Sequence, residues 1–184
     1  MKDKNEPKNI IKNTAKELSQ VAVFVALVIA AQLALSFVAG VEVVTVLFVA
    51  YAFVFGIRRG MLAATVFTMV RQLLFGFYPT VFILYLTYFN GLTALFGWLG
   101  KCVGNPLRSL WWIILVACLC TACFTLLDTI LTPLWYHYTQ KAAWAHFIAA
   151  LPVAFLQIIC TAVTVGFLFF PLQKAFCLIK RKTP

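Results

Sequence analysis

LSQVAVFVALVIAAQLALSFVAGV, residues 18–41, runs for twenty-four positions without a charged side chain. Roughly 20 apolar residues in a helix cross the hydrocarbon core of a bilayer, so this run is long enough to span one. Glu42 closes it, and the sequence beyond repeats the pattern. Val43–Ile57 is a shorter apolar run ended by Arg58-Arg59. Gly60 opens a third segment, which contains Arg71 and ends at the turn-like cluster Gly76-Phe77-Tyr78-Pro79. Thr80–Gly100 is a fourth. Lys101–Arg108, built around Gly104-Asn105-Pro106, reads as a loop. Ser109–Leu131 is a fifth span and carries Asp128. Thr132-Pro133 and the polar-aromatic stretch Trp135–Trp144 read as a second loop, and Ala145–Pro171 as a sixth span.

The composition agrees. Of 184 residues, 64% are hydrophobic, 16% aromatic and only 11% charged. A water-soluble domain of this size cannot hide that much apolar side chain, because too much of its volume lies near its surface. A cytosolic enzyme, a secreted disulfide scaffold and a disordered chain are thereby excluded. The net charge of +10 does not indicate nucleic acid, because the charges bracket the apolar runs. The runs lack period-two alternation and exceed the length of barrel strands, which argues against a β-barrel. The expected fold is an all-α integral membrane protein, six transmembrane helices in one bundle. Snorkelling of Arg58 and Arg59 or local thinning covers the shortness of the second and third spans.

Thirteen of the fifteen basic residues fall on one set of connections: Lys2, Lys4, Lys8, Lys12 and Lys16, then Arg58 and Arg59, then Lys101 and Arg108, then Lys174, Lys180, Arg181 and Lys182. The positive-inside rule puts that set, and with it both termini, in the cytoplasm. The chain therefore divides into a basic cytoplasmic tail at 1–17, flexible or interfacial, a six-helix membrane domain at 18–173, and a second basic tail at 174–184. The first span is too long for a signal-peptide core and has no A-x-A pair, so it is expected to stay uncleaved.

Arg71 lies about 11 residues into a helix that enters from the cytoplasm. An arginine so deep costs several kcal/mol unless it faces protein or a wet cavity. Thr65, Thr68 and Gln72 share a neighbouring sector, so one face of this helix is polar. Two readings follow. Arg71 pairs with Asp128 and fixes helix packing, or one or both line a ligand cavity open to the outside, where the guanidinium fork suits a carboxylate or carbonyl group. The outer side is also rich in Tyr78, Tyr85, Tyr88, Trp135, Tyr136, His137, Tyr138, Trp144 and His146. Interfacial belts explain many of these. Tyr85, Tyr88, Phe89 and Leu92 form one stripe, either core or the wall of a pocket for a ring-containing molecule. Asn90 and Gln157 are further intramembrane polar candidates.

In the first span Ala22, Ala26, Ala30 and Ala34 recur every four residues, the spacing that lets another helix approach closely. Gln32 and Ser36 lie about a quarter turn away and are candidates for the bundle interior. The partner helix is either within the bundle or on another subunit. Cys118, Cys120 and Cys123 sit at about 0°, 200° and 140° around the fifth helix and do not converge, while Cys102 and Cys177 face a reducing cytoplasm. The six cysteines are read as packing groups, and no metal or cofactor is expected. Gly97-x-x-Gly100-Lys101 misses the spacing of a phosphate loop and has Cys102 where a hydroxyl belongs. No H-E-x-x-H or G-x-S-x-G occurs. The chain is expected not to be an enzyme and has no visible means of using ATP.

Ala22-x-x-x-Ala26, the basic turn Phe55-Gly56-Ile57-Arg58-Arg59-Gly60, and Leu73-Leu74-Phe75-Gly76-Phe77-Tyr78-Pro79-Thr80 resemble the first-helix alanine motif, the second connection and the outer end of the third helix in the substrate-binding S components of energy-coupling factor (ECF) transporters. Size and six-span topology resemble the family across most of the chain. The resemblance implies a multi-pass protein of the bacterial cell membrane that captures a vitamin or similar micronutrient from outside. It implies that Ala22 and Ala26 dock on a transmembrane coupling subunit, that two ATPase subunits supply the energy, and that the whole S component reorients to release its ligand. Ligand residues in that family vary with the substrate, so Arg71, Tyr85 and Asp128 rest on burial cost and position. Riboflavin-, pantothenate-, cobalamin- and nucleobase-like ligands all stay open. Two other classes compete: a small integral-membrane enzyme, and an accessory membrane subunit that transports nothing.

Overall fold

A computed structural model describes residues 6–35, 43–103 and 109–182. Six helices follow one another: α1 Glu6–Leu35, α2 Val44–Phe55, α3 Ile57–Phe75, α4 Pro79–Cys102, α5 Leu110–Trp135 and α6 Gln140–Lys182, with no strand among the described residues. Lys2, Lys4, Ser36, Glu42, Gly104-Asn105-Pro106 and Arg108 lie outside them.

The chain is an all-helical protein in which four helices contain segments long and apolar enough to cross a membrane: Thr14–Leu35, Pro79–Cys102, Leu110–Trp135 and Gln140–Arg181. The other two differ in kind. At 1.5 Å per residue, the 12 residues of α2 reach only about 18 Å, and α3 carries Arg58, Arg59 and Arg71.

α2 is apolar on every side, and a helix of that kind is stable only when enclosed. Every residue from Val44 to Val54 is buried, with α1, α3, α4 and α6 packed around it. Aromatic rings fill this centre: Phe24 of α1 stacks on Tyr51 at 3.9 Å, and Phe48 meets Phe67 of α3 at 5.2 Å and Phe89 of α4 at 4.8 Å. Hydrocarbon is as apolar as a leucine side chain, so helices in a bilayer are held by close contact rather than by escape from water. The glycines show where contact is closest. A Cβ on Gly97 would sit 2.6 Å from the Ile57 nitrogen, and one on Gly100 would run into the Phe53 carbonyl. α4 thus closes on the α2–α3 turn backbone to backbone. The Gly97-x-x-Gly100 pair that superficially resembled a phosphate loop is a helix-packing surface.

Single residues make the tight reversals. Gly56, at φ 83° and ψ −179°, alone separates α2 from α3, and Gly76, at φ 94°, ends α3. Residues with a Cβ are strongly disfavoured in this conformation. Arg58, Arg59 and Lys101 mark one end of the bundle, the basic end. There Arg59 forms an ion pair with Glu17 of α1 and donates to Gln20 Oε1 at 3.5 Å. Lys180 Nζ donates to the Val54 carbonyl at 2.6 Å, supplying the cation that the C-terminus of α2 favours.

Four boundaries differ from the sequence reading. Arg58-Arg59, read as the close of the second span with Gly60 opening the third, lie with Gly60 inside α3, because the chain reverses at Gly56. Residues 6–17, read as a flexible or interfacial tail, begin α1. The second predicted loop shrinks, because α5 runs through Pro133 to Trp135 and α6 starts at Gln140. Pro133 lacks the N–H that would continue the ladder, and Tyr136 N–H to Thr132 O at 3.1 Å with Tyr138 N–H to Pro133 O at 3.0 Å closes the end beyond it. The second predicted tail also stays helical to Lys182, since lysine, arginine and glutamine favour helix even where hydropathy stops. The 43 residues of α6 reach about 64 Å, twice a hydrocarbon core of about 30 Å.

Candidate functional site

Gly60, Ala64, Phe67 and Arg71 follow one another at helical spacing on a single stripe of α3, and the first three are buried. Arg71 therefore continues an inward face. It stands near the end of α3 distal to Arg58 and Arg59. Its guanidinium carbon lies 4.0 Å from the centre of the Tyr85 ring on α4 and 5.2 Å from that of Phe75. Ring faces attract such a cation by about 0.5–2 kcal/mol each, depending on how far the pair is desolvated. They also leave a guanidinium donor unspent: Arg71 Nε is buried with no hydrogen-bond partner among the described residues.

Behind Arg71 is an aromatic wall. The Tyr85 ring lies 5.3 Å from Phe89 and 5.8 Å from Phe124 of α5, and Tyr88 lies 4.8 Å from the same Phe124. Tyr88, Phe89 and Leu92 are buried and Tyr85 half-buried, so the fourth-helix stripe is core over most of its length and meets Arg71 only at Tyr85.

The other predicted residues are dispersed. Asp128 does not reach Arg71: its carboxylate accepts from Thr132 Oγ1 at 2.9 Å and faces His146 Nε2 at 3.9 Å, with the Tyr138 ring edge-on to the imidazole. No Arg71–Asp128 ion pair forms among the described residues, which removes the packing reading of that pair. Asn90 bridges α3 and α4, accepting from Thr65 Oγ1 at 3.4 Å and donating to the Leu86 carbonyl at 2.8 Å. Tyr78 is exposed at the α3–α4 turn, and Gln157 is half-buried on α6. The glutamine beside Arg71 has a structural role. In the amide orientation that satisfies its neighbours, Gln72 donates to Gly76 O at 2.7 Å and accepts from Phe82 N–H at 2.9 Å, pinning the end of α3 to the start of α4.

On α1, Val21, Phe24, Val25 and Val28 are buried, while Ala22, Ala26, Ala30 and Ala34 all face away from the bundle. The alanine stripe is thus not used in packing against the protein's own helices. Cavities open elsewhere. One of about 390 Å³ lies at the basic end beside Gly56, Gly97, Gly100, Lys101 and Lys180, one of about 210 Å³ lies between α1, α2 and α6, and one of about 260 Å³ lies at the start of α6 beside Gln140, Ala143, Trp144 and Phe147. None of the predicted ligand-binding residues lines any of these. No family model, no curated protein and no solved structure matches the chain.

Proposed function

We propose that this protein is the substrate-binding S subunit of an ECF-type importer. In this reading all six helices are embedded, both termini are cytoplasmic, and a micronutrient with an anionic group enters from the distal end. The short α2 and arginine-bearing α3 are compatible with that, because α2 is enclosed by its neighbours and Arg58 and Arg59 sit at the basic end.

The observation that carries the proposal is Arg71. It is a cation on an inward stripe, held by aromatic faces, with a buried donor unused and no carboxylate of the described residues beside it. An enclosed charge left in this condition calls for a counter-charge, and a ligand carboxylate supplies both the charge and a paired acceptor for the guanidinium fork. Tyr85 and the rings behind it provide the apolar, flat wall typical of small-molecule sites. The outward-facing alanines leave α1 open to a neighbouring subunit at close range.

Mass spectrometry of small molecules released from the purified protein identifies the ligand. It is expected to raise the melting temperature of the wild type. Arg71→Met should remove that shift and weaken binding at least tenfold, the loss of one charged hydrogen bond or more, with normal expression. Unchanged affinity in Arg71→Met, or the absence of any bound or stabilising small molecule, counts against the proposal.

A further inference from the structure

Gln32 of α1 holds the same place in its stripe as Arg71 does on α3. Val21, Val25, Val28 and Gln32 make a stripe with the same spacing as Gly60, Ala64, Phe67 and Arg71, and in each the first three residues are buried. The two helices pack on each other, and Arg59 reaches Gln20 at 3.5 Å, so these two residues lie near one level. Gln32 stands 12 residues beyond Gln20, and Arg71 stands 12 beyond Arg59. Both helices lead away from the basic end, so the two side chains end their stripes at the same height, about 18 Å along.

Gln32 Oε1 is buried and, like Arg71 Nε, has no hydrogen-bond partner among the described residues. The two unspent atoms are of opposite kind, an acceptor and a donor. With a guanidinium at this level, the oxygen is the end of the amide that the local field favours turning inward. An unpaired buried polar atom is costly, and one ligand with complementary groups can satisfy both.

We infer that Gln32 is a second ligand contact, resting on the reading of Arg71 as the anion site. The ligand class it specifies is a carboxylate or equivalent anion that also carries an N–H or O–H donor. Arg71 reads the anion and Gln32 reads the donor. A site built to receive a donor rejects an analogue that lacks it far more strongly than an apolar wall rejects a change of shape.

The test uses the purified full chain in lipid nanodiscs, calorimetry, and three probes that carry a carboxylate and donors at different spacings: orotate, pantothenate and biotin. Each is compared with a counterpart methylated at its N–H or O–H groups. At least one unmethylated probe is expected to bind, with its methylated form about tenfold weaker or worse. Gln32→Leu should lower affinity for the unmethylated probe to the level of the methylated one. Gln32→Asn keeps a neutral amide acceptor without placing a carboxylate beside Arg71 and should retain part of the preference, so it serves where Gln32→Leu fails to fold. If Arg71→Met abolishes binding while the glutamine variants leave affinity and methyl discrimination unchanged, Gln32 is no contact and the anion site stands alone. Gln32 is likewise no contact if Gln32→Leu lowers only the stability of the ligand-free protein, the signature of a Gln32–Arg71 bond. If no probe binds, or Arg71→Met binds as the wild type does, the anion-site reading fails and this inference with it.

Discussion

Gly97 and Gly100 have no side chain, and the contact between α4 and the α2–α3 turn depends on that. The backbone of Phe53 and Ile57 occupies the places where their Cβ atoms would be, and backbone cannot swing aside as a flexible side chain can. Gly100→Ala should therefore push α4 off the turn and lower stability by about 1–3 kcal/mol, the range for overpacking a well-filled core. Gly91 is the control on the same helix: a Cβ there meets nothing within 4 Å, and Gly91→Ala should be neutral or stabilising, since alanine favours helix by about 1 kcal/mol. Thermal melts of the two variants in one detergent check the contrast. An equal effect of both substitutions, in either direction, would mean that the close approach to Phe53 does not set the cost at Gly100.

At the scale of a helix, α1 serves two different neighbours. Its Val21–Val25–Val28 face is committed to the bundle, and its alanine face is left without protein contact. If a coupling subunit docks there, Ala22→Trp or Ala26→Trp should abolish uptake in cells that carry the whole transporter. Ligand affinity of the isolated subunit should stay within about twofold, because neither side chain touches the bundle. Parallel loss of binding and uptake would remove the docking role. Much of this helix was legible beforehand, because four-residue alanine spacing needs no tertiary knowledge, yet the direction of the face was not. Spacing shows which residues share a side, and only packing shows what that side meets. The same limit explains Asp128. Its depth made it a natural partner for Arg71, but Thr132 lies one turn along the same helix and His146 on the adjoining one, and these nearer groups engage its carboxylate. The boundary at Gly76 was readable from the turn-like cluster Gly76-Phe77-Tyr78-Pro79. The break between α2 and α3, read at Arg58-Arg59 but made at Gly56, and the limits at residues 6–17, 132–139 and 174–182 were not, since charge and hydropathy tell where a membrane ends rather than where a helix does.

For the whole molecule, orientation links the parts, since the Arg71 end can capture a nutrient only if it faces outward. Contacts across long sequence separations gather the charges at the other end: Glu17 with Arg59, and Lys180 with the Val54 carbonyl. No local pattern foretells such pairs. Two native thiols report on that end directly. Cys102 closes α4 next to Lys101, and Cys177 lines the basic-end cavity with Lys180; both are exposed, whereas moving them across the bilayer would require carrying the flanking cations too. Single-cysteine variants retaining Cys102 or Cys177 should stay unlabelled by a membrane-impermeant maleimide in intact cells and react readily in inverted vesicles. His137→Cys, on the α5–α6 turn in a background without other cysteines, should do the reverse. Labelling of Cys102 or Cys177 from outside intact cells would turn the basic end to the exterior. Arg71 would then open toward the cytoplasm, where it could not take up a nutrient from outside, and the import proposal would fall whatever Arg71 and Gln32 bind.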